Sequence, residues 1–309
     1  WQIEYDLRKA RKRGDDIAVA QLEKLKLEIE NPIDGTANDA DEIIEGSKED
    51  TGLTVEDESE SKSNKFFDPI KRRHHLVVLP RTSTGLQRLF HLVSRGYKEG
   101  FYRFPRVDYG MLKEAAEGGH IMISSACLGG PLSYEVFKRF VGVEFDQLKP
   151  GLLDNTDTLN DVLSGIRQAY NRLSDAIGSE GVMLELQFNK LPAQHLVNRA
   201  LIEFARLEGL TDKLVVTCDS HMSRPAHWKE RELYKKLGWM KNKEFDPESL
   251  PKTIDDLDCQ LYPKNADQVW DSYIDTTKDY SFYDDDEVCD AIERTYFIAH
   301  EMIGDIVAD

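Results

Sequence analysis

Leu214-Val-Val-Thr-Cys-Asp219-Ser-His221 is an apolar run of strand type that ends in an Asp-x-His pair. Side chains alternate along a strand, so a carboxylate and an imidazole two positions apart point the same way. Such a pair holds a divalent metal, acts as base and orienter, or is simply a buried His capped by an Asp. Its place at a strand end matters, because α/β proteins put their chemistry where loops leave the sheet.

Working upstream, apolar runs over 76–79, 121–126 and 182–187 read as three more strands. In Val182-Met-Leu-Glu-Leu-Gln187 the alternation puts Glu185 and Gln187 on one face. Helical patterns separate these runs. Thr82 or Ser83 caps a helix carrying Leu86, Leu89, Phe90 and Val93. Further helices are predicted around 108–117, over 132–141 and 158–178, and as an amphipathic stretch over 192–208. Downstream, helices are predicted over 226–238, 264–273 and 285–304, with a Pro- and Asp-rich loop at 241–262. Strands alternating with helices imply an α/β fold: a mainly parallel sheet, doubly wound or closed into a barrel. Cys127 ends the 121–126 run, before the turn at Gly129-Gly130. His75 stands instead at the start of its strand, the wrong end for a shared site in a parallel sheet.

The N-terminal part differs. Residues 1–33 read as a helical insertion, with Ala18, Leu22, Leu25 and Ile29 on one stripe and a basic cluster from Arg8 to Arg13. Residues 34–65 read as an acidic disordered linker, since the 11 acidic residues within 34–62 face only Lys48 and Lys62. Residues 66–309 read as globular. The first residue is Trp1, which suggests an internal fragment or a processed chain.

The formal net charge over 309 residues is −17, which disfavours nucleic acid on average and leaves any DNA contact to a local patch or to a missing part. No apolar run has membrane length, so no membrane partner is expected and a cytoplasmic location is. The four cysteines, Cys127, Cys218, Cys259 and Cys289, lack C-x-x-C spacing, against a zinc finger or a disulfide scaffold.

His75, Cys127, Asp219 and His221 together offer imidazole, thiolate, carboxylate and imidazole, a donor set suited to Zn or Mn. Spacing does not show that they meet. His75 also reads as an exposed residue beside Arg73 and His74, and Cys127 as a small core residue. His91, His120, His195, His227 and His300 sit at helical or loop positions and are not expected to be ligands. Cys259 and Cys289 read as packing or surface residues.

Several segments in order carry a resemblance. They are His75-Leu-Val-Val-Leu79, Gly85-Leu-Gln-Arg-Leu89, Gly100-Phe-Tyr-Arg-Phe-Pro-Arg-Val-Asp108 and Ser125-Ala-Cys-Leu-Gly-Gly130. Leu184-Glu-Leu-Gln187, Asp219-Ser-His221, Leu261-Tyr-Pro-Lys-Asn-Ala-Asp-Gln-Val269 and Arg294-Thr-Tyr-Phe-Ile-Ala-His300 follow. From about 70 to 304 the chain resembles the PHP (polymerase and histidinol phosphatase) domain of the C-family replicative DNA polymerases, the alpha subunits of bacterial and phage DNA polymerase III.

The resemblance implies a distorted (βα)7-type barrel, present in part, whose cleft holds divalent metal through His, Asp, Glu and Cys. His75, Cys127, Asp219 and His221 map onto four of those ligands. The family's earlier ligands, a His-x-His pair among them, have no counterpart in 1–70. They are expected upstream of Trp1, and the polymerase palm downstream of Asp309. The implied chemistry is phosphoester hydrolysis, suited to 3′–5′ proofreading or pyrophosphate removal, or else a purely structural metal. The implied cofactors are Zn or Mn in the intact domain and Mg for the parent nucleotidyltransferase. The implied partners are DNA, met through the absent polymerase domains, and proofreading or clamp subunits. Two alternatives stand beside this: a free-standing, histidinol-phosphatase-like phosphoesterase, and a non-catalytic docking scaffold for replisome partners.

Overall fold

The computed structural model describes residues 73–101, 104–240 and 260–307, with residues 11, 19, 20 and 23 besides. Those four positions apart, the expected helical insertion at 1–33, the acidic linker and Cys259 lie outside the described residues.

Among the described residues four strands form one sheet in the order β1 (Val77–Pro80), β2 (Ile121–Ser124), β3 (Val182–Leu186) and β4 (Leu214–Val216). Every residue of β2, β3 and β4 is buried, which is why they read as unbroken apolar runs. β1 lies at the edge, where Pro80 is tolerated although it has no N–H to donate.

Helices surround the sheet: α1 (Ser83–Lys98), α2 (Tyr109–Ala116), α3 (Pro131–Phe137), α4 (Thr156–Ile177) and α5 (Pro192–Glu208). After β4 come α6 (Trp228–Met240), α7 (Ala266–Thr276) and α8 (Asp285–Phe297). Local chemistry sets their ends. Thr82, Asp108 and Asn155 accept from backbone N–H groups at the starts of α1, α2 and α4. Pro192 opens α5, and Gly209, left-handed at φ +68°, closes it. The predicted 285–304 helix stops at Phe297 and widens into a π-turn over Ile298–Met302.

One face of the sheet presents Ile121, Ile123, Val182, Leu184, Leu214 and Val216 to α4 and α5, where Ile166, Leu196, Leu201 and Phe204 complete the main core. On the opposite face Met122, Met183 and Val215 meet Leu79, Ile298, Met302 and Ile303.

The sheet is mainly parallel, as the alternation of strands and helices implies, with two particulars added. The described strands form an open sheet and do not close into a barrel. The sheet is also mixed: β2–β3 and β3–β4 are parallel, but β1 pairs antiparallel with β2, Val77 opposite Ser124 and Pro80 opposite Ile121. Two helices, α1 and α2, separate β1 from β2, and the chain re-enters the sheet at the end it left, Ile121 lying opposite Pro80. Strand–helix alternation alone does not distinguish this from a single-helix crossover. Among the described residues no helix is long and apolar enough to cross a membrane.

Candidate metal and phosphoester site

The reversed direction of β1 decides where His75 lies. Because Val77 stands opposite Ser124, continuing the antiparallel ladder brings His75 beside the exit of β2. The His75 amide donates to the Gly129 carbonyl at 2.9 Å. The His75 Nδ1 stands 3.5 Å from the Cys127 Sγ. The start of β1 and the end of β2 therefore supply adjacent donors, an exposed imidazole and a partly exposed thiol.

The turn that carries Cys127 is tight. A Cβ on Gly130 would lie 2.0 Å from the Ser125 carbonyl oxygen, and one on Gly129 would lie 3.0 Å from His75 Nδ1. Glycine at both positions is what lets the thiol and the ring come together. Ser133 Oγ donates to the Cys127 carbonyl at 2.9 Å, fixing the turn to α3.

At the end of β4, Asp219 is half-buried and His221 is exposed. His221 Nδ1 lies 2.7 Å from the Asp219 carbonyl oxygen. Beyond the strand the alternation of side chains breaks, because Asp219 takes a left-handed backbone at φ +43°. The loop is pinned from below: the amides of His221 and Met222 donate to the Leu261 carbonyl at 2.8 and 3.2 Å.

Among the described residues, three non-glycine positions have positive φ: Ala126, Asp219 and Gln260. Ala126 immediately precedes Cys127, and Gln260 immediately precedes the Leu261 that holds His221. Each such conformation costs on the order of 1–3 kcal/mol and persists only where the surroundings impose it. This backbone strain converges on the two strand ends.

Glu185 ties those ends together. It is buried on the sheet face that carries Met122, Met183 and Val215. The Ser124 hydroxyl of β2 donates to one of its carboxylate oxygens, and the Thr217 hydroxyl, just past β4, donates to the other at 2.5 Å. Gln187 Nε2 is shared between Glu185 and Thr217, at 3.4 and 3.2 Å. Ser124 lies three residues before Cys127, and Thr217 two before Asp219. The alternation in β3 showed Glu185 and Gln187 on one face; their partners become visible only once three strands are known to be adjacent.

His75 and Cys127 thus form one pair, and Asp219 and His221 another, on the strand-end side of the sheet. Among the described residues no three or more His, Cys, Asp or Glu side chains close into a single metal-holding group. Four of the remaining histidines are engaged elsewhere. His120 Nδ1 meets Thr82 Oγ1 at 2.9 Å, and His227 Nδ1 meets Ser223 Oγ at 2.8 Å. His300 stacks on Tyr296. His195 sits between Tyr283 Oη and the Asn189 carbonyl, and burial pushes its pKa down to about 4. Cys289 is exposed on α8, its thiol pKa raised by desolvation and by neighbouring acids, Asp286 first.

The family model of the PHP domain matches residues 16–189, more than half of the chain. The chain belongs to the PHP domain family. The matched span takes in His75, Cys127 and Glu185 and ends before Asp219 and His221. The chain is also similar to DNA polymerase III subunit alpha of Aquifex aeolicus (strain VF5), 30% identical over 57% of this chain and 13% of that protein. The subunit alpha of Thermus aquaticus is 34% identical over 52% of this chain and 11% of that protein. That of Treponema pallidum (strain Nichols) is 28% identical over 73% of this chain and 17% of that protein. The chain therefore spans less than a fifth of the length of these relatives.

Proposed function

We propose that this chain is the PHP portion of a replicative DNA polymerase of the DNA polymerase III alpha type. In the intact protein its strand ends hold a divalent metal, Zn or Mn, that serves phosphoester hydrolysis, as in 3′–5′ proofreading or pyrophosphate removal. The observation that carries this reading is the antiparallel β1, which puts His75 3.5 Å from Cys127 on the side of the sheet where β4 ends in Asp219 and His221.

The donors fit such an ion. Imidazole, thiolate and carboxylate together favour Zn or Mn over harder cations. His75, Cys127, Asp219 and His221 would hold it, with further ligands from strands that close the sheet in the longer protein. When bound, the ion polarises a phosphoryl oxygen as a Lewis acid. The chain's own residues do the rest. Glu185 fixes the separation of the β2 and β4 ends, and Leu261 fixes the height of the Asp219–His221 loop. DNA, Mg for nucleotidyl transfer, and proofreading or clamp subunits belong to the polymerase as a whole.

The test is metal analysis of the intact protein alongside Cys127→Ala, Asp219→Ala and His221→Ala, with release of nucleotide from a 3′ end measured in parallel. Metal content and hydrolysis should both fall in each variant. Equal metal content in wild type and variants would mean that the ligands are wrong. Loss of metal without loss of hydrolysis would leave the ion a structural role only.

A further inference from the structure

We propose that Lys264 is an anion-binding residue of this strand end, receiving a non-bridging oxygen of a phosphate group. The proposal deepens the phosphoester reading above and rests on it for the identity of the anion.

The lysine sits on a turn built into the site. Its Nζ donates to the Gln260 carbonyl at 2.5 Å and lies 4.8 Å from the centre of the Tyr262 ring. Gln260 has the strained φ of +58°, and its side chain accepts from Ser272 Oγ at 2.6 Å. The next residue, Leu261, accepts the amides of His221 and Met222. Lys264 is therefore anchored to the same turn whose Leu261 carbonyl holds the loop of Asp219 and His221.

Among the described residues its charge has no acidic counterpart. Lys213, buried elsewhere, pairs with Glu180 at 2.9 Å and Asp212 at 3.5 Å. Lys264 is half-buried, yet among the described residues no carboxylate stands within ion-pair distance of it. It also immediately precedes the Asn265 cap of α7, the positive end of a helix dipole, where a cation is disfavoured. Burial lowers its pKa, the direction expected of an ammonium short of negative charge. With one N–H on Gln260, two remain for a ligand. A phosphate oxyanion supplies both the charge and the acceptors the position lacks, and a compact ammonium is a common phosphate donor.

The experiment uses the intact protein with inorganic phosphate as probe, at constant ionic strength maintained with chloride. Phosphate binding and metal content are measured for wild type, Lys264→Met and Lys264→Arg. Lys264→Met should weaken phosphate binding about tenfold or more, the loss of one charge-assisted hydrogen bond, with metal content unchanged. Lys264→Arg should restore most of it. In the wild type, phosphate should slow acetylation of Lys264 relative to Lys190, a readout independent of how the variants fold. Equal phosphate affinity in wild type and Lys264→Met, no phosphate binding by the wild type, or an acetylation rate indifferent to phosphate would each overturn the proposal. If metal loads normally and Lys264→Met still binds phosphate, this inference fails and the metal reading stands. If phosphate binding depends on Lys264 in a protein that takes up no metal, the metal reading fails and the anion site stands.

Discussion

The two faces of the same sheet do opposite work. Alternate residues of β2, β3 and β4 point into a core of Ile, Leu, Val and Phe against α4 and α5. Their neighbours begin apolar, with Met122, Met183 and Val215, and turn polar toward the strand ends, with Ser124, Glu185, Gln187 and Thr217. The first face gains stability from dry packing. The second buries a carboxylate among hydroxyl and amide donors, a costly arrangement that fixes position. The difference separates what holds the chain folded from what aims the candidate ligands.

The comparison is broken most strongly from the packed face. Phe204 is fully buried and stacks 5.4 Å from Tyr170, between α5 and α4. Phe204→Ala should cost about 3–5 kcal/mol by denaturant unfolding, through lost burial and the cavity left behind. The metal content of the protein that stays folded should not change. A selective loss of metal would mean that the two faces are coupled.

A slightly smaller effect comes from pH. His195 on α5 is buried as the neutral ring, with its pKa pushed down to about 4 from 6.5. Between those values the unfolded chain takes up a proton that the folded chain refuses, so stability falls as pH drops. Above pH 6.5 the contribution is complete, and by pH 4 about 3 kcal/mol has been lost. Melting temperature followed from pH 7 to pH 4 should show this slope, and His195→Phe should flatten it. An unchanged slope in the variant would assign the acid lability to other groups.

Much of the packed face was legible in the sequence. The strands fell within two residues of the predicted runs, and Thr82, the 108–117 helix and the start of α5 followed from capping chemistry and periodicity. Strand direction was not legible, because hydrophobic alternation is the same read either way. That mattered for His75, which only an antiparallel β1 brings to Cys127. The strained turns were also hidden: Ala126, Asp219 and Gln260 adopt a conformation the sequence would assign to glycine. The Glu185 network needs three adjacent strands at once, which no local pattern encodes. The candidate ligands could be named one by one, and Asp219 with His221 as a pair, but the meeting of His75 with Cys127 could not.

The smallest perturbation separates the faces most cleanly. Glu185→Gln keeps the size of the side chain and one acceptor oxygen, and the Ser124 and Thr217 hydroxyls can rotate to meet the new amide. It should cost about 1 kcal/mol of stability, whereas Glu185→Ala leaves those buried hydroxyls and Gln187 without their acceptor and should cost about 2–3 kcal/mol. If the polar face only supports the fold, metal retention against a chelator will follow stability in both variants. If Glu185 sets the spacing of the β2 and β4 ends, Glu185→Ala should release metal faster than a core variant of equal stability, and Glu185→Gln should stay near wild type. Identical retention in Glu185→Ala and a stability-matched core variant would remove the distinction between the faces.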